Sequence, residues 1–145
     1  MSRPNAAGRP GFAEPALQTV ELPASEAIAA AAAAGLHVHL VDARRPMGKP
    51  EVLAALAAAL RFPAWSGANW DALADSLGDL SWLPAGGHAL VIDAGPGELG
   101  PAWSTALEIL AEAVAEQAPR ARPLHVVVVA VAAGAGGEAA GPNPR

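Results

Sequence analysis

Leu124-His125-Val126-Val127-Val128-Val129-Ala130-Val131 is apolar at almost every position. It lacks the alternation of a strand that turns one face to water. It is also far short of the ~20 residues that a bilayer-spanning helix needs. The stretch therefore reads as a strand buried on both faces, the mark of a parallel sheet covered by helices.

Working outward, Ala89–Asp93 repeats this character, and His37–Asp42 is a shorter β-branched run ending in polar residues. Gln18–Leu22 forms a fourth extended piece, halted by Pro23. Helical signals fill the gaps. The first helix takes Ser25 as N-cap, Glu26 in its first turn and Gly35 as its stop. The second runs over Pro50–Leu60, with Val52, Leu53, Leu56 and Leu60 as one apolar stripe. The third spans Trp70–Leu80, unless Gly78 closes it a turn early, and the fourth spans Pro101–Gln117. The order β-α-β-α-α-β-α-β with right-handed crossovers gives an α/β fold: a small parallel β-sheet flanked by helices. Three strands form its core, with a possible fourth from the N-terminal extension.

Length and charge narrow the class. The chain has 145 residues, enough for one domain with a real core. Residues 1–16 and 133–145, built of Gly, Pro, Ala and isolated charges, read as disordered tails around one domain at 17–132. Nine basic residues against fourteen acidic give −5, which argues against nucleic acid as a partner. The absence of cysteine removes disulfides, thiolate metal sites and a cysteine nucleophile. No apolar h-region opens the chain, so a cytoplasmic protein without membrane association is expected.

The acidity is concentrated. Residues 61–110 carry one basic and six acidic residues, and the remainder balances. On the third helix, Asn69 is a good N-cap, and Trp70, Leu73, Leu77 and Leu80 share an apolar face. Asp71, Asp75 and Asp79 follow at i, i+4 and i+8 on another face, with no Lys or Arg in residues 62–100. Like charges at this spacing cost a helix roughly 0.2–0.5 kcal/mol per pair. The bland reading is a solvated face; the sharper one is an anionic surface that a basic partner completes. Trp65, between Pro63 and Gly67, is either a core-capping aromatic or an interface anchor.

The segment Phe62-Pro63-Ala64-Trp65-Ser66-Gly67-Ala68-Asn69-Trp70-Asp71-Ala72-Leu73-Ala74-Asp75-Ser76-Leu77 resembles the core motif of the barstar family, intracellular inhibitors of barnase-type ribonucleases. The lead-in Lys49-Pro50-Glu51-Val52-Leu53 and the turn Asp42-Ala43-Arg44-Arg45 are similar to the family too, and the resemblance covers residues 37–131. It implies a barstar-like fold and a partner: a secreted, basic, barnase-like ribonuclease, bound by a chain that is a monomer when free. By that match Asp71 and Asp75 face the enzyme's cationic groups, Trp65 takes the aromatic position, and Gly67 and Asn69 shape the turn that aims the helix. Asp79 extends the row, and counting back from the last strand places Glu112 as a further acidic contact. The sequence departs from the family at Ala74, where a Trp is frequent, and at Ser66, where the aromatic pair is broken.

Inhibition of this kind is occlusion, with no catalytic residue, cofactor or metal. An enzyme using the three aspartates as ligands for a hard cation is the first rival. Successive helical turns, however, space carboxylates along a line instead of around a point. No phosphate loop or nucleophile elbow is present. His37 and His39 share a strand face, and His88 and His125 stand alone. The second rival is a barstar-like binding module for a different basic protein, without ribonuclease inhibition.

Overall fold

In the computed structural model, which describes residues 9–130, each interval of the pattern becomes one element. The strands are β1 (Leu17–Val20), β2 (His37–Asp42), β3 (His88–Asp93) and β4 (Leu124–Val129). The helices are α1 (Ala24–Ala33), α2 (Lys49–Ala59), α3 (Trp70–Asp79) and α4 (Pro101–Gln117). The sheet is parallel throughout, in the order β1-β4-β3-β2. The extension does supply a fourth strand, paired in register from Leu17 opposite Val126.

The two apolar strands sit in the middle, as their composition requires. β3 is buried from His88 to Ile92 and β4 at every position. Alternate residues project to opposite faces. Leu90, Ile92, Val126 and Val128 meet the major core, with Leu56, Leu73, Leu77 and Leu110 from α2, α3 and α4. Val91, Val127 and Val129 meet a smaller one, closed by Val20 and Ala27.

Boundaries differ from the sequence reading where backbone chemistry, not side-chain pattern, sets them. Ser25 is not the cap of α1: Pro23 is, its carbonyl accepting from the Glu26 and Ala27 amides. Gly35 does stop α1, at φ +84°, with the Gly35 and Leu36 amides returning to the Ala32 and Ala31 carbonyls. At α2, Glu51 reaches back to the Gly48 amide (3.0 Å). Helix α3 runs through Gly78, and Leu80 closes it in the left-handed region at φ 53°, so Asp79 keeps its place on the acidic row.

The expected tails at 1–8 and 133–145, and Val131 of the expected last strand, lie outside the described residues. Residues 9–16, assigned above to the tail, are among the described residues. Gly11 exchanges two hydrogen bonds with the Gln18 side chain, and the Phe12 ring meets His125 edge-on. Among the described residues no helix is long and apolar enough to cross a membrane.

Candidate functional site

Helix α3 is fixed at both ends. The Asn69 side chain accepts from the Ala72 amide (2.7 Å), the N-cap bond that its position predicts. At the other end the Leu77 carbonyl accepts from Gln117 Nε2 (2.8 Å) and the Gly78 carbonyl from Arg120 Nη1 (3.2 Å). Its inner face is buried through Leu73, Ser76 and Leu77. Trp70 is half-buried, with the Lys49 ammonium 5.7 Å above its ring.

The outer face is anionic and open. Asp71, Asp75 and Asp79 are all exposed. Among the described residues the ion pairs lie elsewhere: Arg44 with Asp42 and Asp93, and Arg120 with Glu116 (3.5 Å). The hydrogen bonds from Arg44 hold the Asp42 carboxyl far below its usual range. No cation in the described residues forms an ion pair with any of the three aspartates. Arg120, at the C-terminal end of α3, is spent on a helix-terminal carbonyl and on Glu116.

The loop that enters α3 presents Trp65 with 74% of its surface exposed, so it is not a core-capping aromatic. Ser66, next to it, turns inward to hydrogen-bond the buried Ser76 hydroxyl (3.2 Å), pinning the loop to the helix. A Cβ on Gly67 would stand 3.2 Å from that of Ala72, so this position favours glycine for its close approach to α3. Behind Trp65, an apolar groove of about 280 Å³ runs between α2 and the loop, lined by Pro50, Leu53, Phe62, Pro63 and Leu73.

The structure brings some predicted residues together and separates others. Asp75 and Asp79 share a surface depression with Ala74, Gly78 and Glu116. Asp71 lies outside it, a turn nearer the loop that carries Trp65, Gly67 and Asn69. Glu112 is exposed on α4 but outside this depression; the acid that α4 brings to α3 is Glu116. Both acids fall on one side of α4, and the sequence offers no signal for the height at which α4 meets α3. Among the described residues no group of three or more His, Asp or Glu is placed to hold a metal ion.

Fold and site together define a small parallel α/β protein with a rigid helix whose acidic face has no internal counterion among the described residues. The family model for barstar (barnase inhibitor) matches residues 36–129, well over half of the chain. The chain belongs to the barstar family. No curated protein matches it.

Proposed function

We propose that this chain inhibits a barnase-type ribonuclease by seating the acidic face of α3 in the enzyme's basic active site. A cleft that binds RNA phosphates is cationic, and an anionic helix competes for the same field. Asp71 and Asp75 are the principal contacts, Asp79 and Glu116 extend the negative surface, and Trp65 is the aromatic anchor beside it. Gly67 and Asn69 set the angle at which α3 leaves the loop. The observation that carries this reading is the row of exposed aspartates without an ion-pair partner among the described residues. Inhibition is occlusion, and it takes place in the cytoplasm, on a ribonuclease destined for secretion.

The test is an RNA-cleavage assay with a purified barnase-type ribonuclease and stoichiometric chain. Loss of cleavage, restored by Asp75→Ala, is the expected result. Full cleavage at every ratio would overturn the proposal. It would favour a module for another basic protein, the reading that Ala74 supports by leaving the depression beside Asp75 open.

A further inference from the structure

His39 Nδ1 lies 3.1 Å from the Ala59 carbonyl oxygen, and His39 Nε2 lies 2.9 Å from His88 Nδ1. His88 Nε2 lies 2.8 Å from the Pro84 carbonyl oxygen. The chain of contacts thus begins and ends on carbonyls, which only accept. Three hydrogen bonds in series between two such ends need three N–H protons. Two neutral imidazoles bring two. One additional proton completes the series, and a second would set N–H against N–H across the 2.9 Å between the rings.

We propose that His39 and His88 form a single proton-binding unit, joining the end of α2 to the loop that leaves α3, which takes up one proton and refuses a second. The surroundings settle where this occurs. His37, on β2, stacks on His88 with centroids 4.7 Å apart. Arg61, just past α2, acts on His39, and Arg122, ahead of β4, acts on His88. Among the described residues neither ring forms an ion pair with a carboxylate. Burial above all, then the unfavourable charge of His88 on His39 and of Arg61 and Arg122 nearby, lowers the proton affinity of both rings, although the hydrogen bonds to the Ala59 and Pro84 carbonyls oppose it. Uptake therefore falls below about pH 6.5, the ordinary value for histidine. In the unfolded chain both rings charge near that value. The unfolded state then binds more protons, so stability is full above pH 6.5 and declines as pH falls. With one proton in the folded pair against two in the unfolded chain, the unfolding constant rises about tenfold per pH unit.

The unit lies between α2 and the loop that leaves α3, and it operates whatever α3 binds. The experiment is a ¹⁵N NMR titration of the ring nitrogens in the full chain from pH 8 downward. His39 and His88 should shift together, with one midpoint below 6.5 and one proton between them. Two independent titrations, each of a full proton, would overturn the proposal, as would two rings that stay neutral until the fold is lost. In His39→Gln the amide N–H satisfies His88 Nδ1, and His88 should stay neutral across the range in which the wild-type pair charges. An unchanged His88 titration in that variant would also overturn the proposal.

Discussion

Trp65 and Leu73 are eight positions apart in the chain and at opposite extremes of exposure, 74% against 1%. Their replacement should separate binding from folding. Trp65→Ala removes no core contact, so its unfolding free energy should stay within about 0.5 kcal/mol of wild type. Its affinity for the ribonuclease should drop, as exposed aromatics that become buried on association commonly anchor an interface. Leu73→Ala and Leu77→Ala open cavities in the major core and should each cost roughly 2–5 kcal/mol in denaturant unfolding. Asp75→Ala should weaken binding strongly and Asp71→Ala less so, with little change in either unfolding midpoint. Equal losses of stability and binding would make these carboxylates structural. The Asn69 cap and the placing of Asp71 and Asp75 on one helix face were legible because helical spacing and capping are local. The pairing of His39 with His88 was not. Forty-nine residues separate them, and only the register that sets His37 opposite His88 brings the rings together.

Helix α3 shows how far an element can be read before its neighbours are known. Its start, its apolar stripe and its acidic row follow from sequence spacing. Its end does not, because Leu80 adopts a left-handed conformation that local propensity reserves for glycine. The carbonyls at that end are satisfied by Gln117 and Arg120, forty or more positions away. The same docking fixes the height of α4 and thereby sets Glu116, not Glu112, in the depression beside Asp75 and Asp79. Gly78, interior to the helix, is a residual weakness. A Cβ there would meet the Glu116 carboxylate at 3.4 Å, an ordinary contact with the movable end of a side chain. Gly78→Ala should therefore stabilise the protein by about 0.5–1 kcal/mol, the helical preference of alanine over glycine. The added methyl narrows the depression beside Asp75. Differential scanning calorimetry of the variant, free and in complex, would separate the two effects: a higher midpoint alone, then a smaller shift on binding.

At the scale of the molecule, the sheet divides the labour. The face carrying α2, α3 and α4 holds both the major core and the acidic site, whereas α1 covers the other face; β1 serves both, Leu17 packing on the major core and Val20 in the smaller one. The family match begins at residue 36 and so leaves out α1 and β1, although β1 is hydrogen-bonded along β4. Without them β4 would become an edge strand, its amides and carbonyls open to another chain. Val91 and Val127, both wholly buried here, would face water. The extension is thus part of the folding unit. A fragment spanning residues 36–130 should bind a hydrophobic dye and associate on a sizing column, where the full chain is expected to elute as a monomer. Because α3 docks across the sheet from α1, a milder lesion should leave binding intact. Ala27, on the inner face of α1, is wholly buried in the smaller core. Ala27→Leu should overpack the smaller core and cost about 1–3 kcal/mol of stability. Its affinity for the ribonuclease, measured well below the unfolding midpoint, should equal that of wild type. A parallel loss of affinity would mean that strain crosses the sheet to α3, and that the two faces are mechanically one.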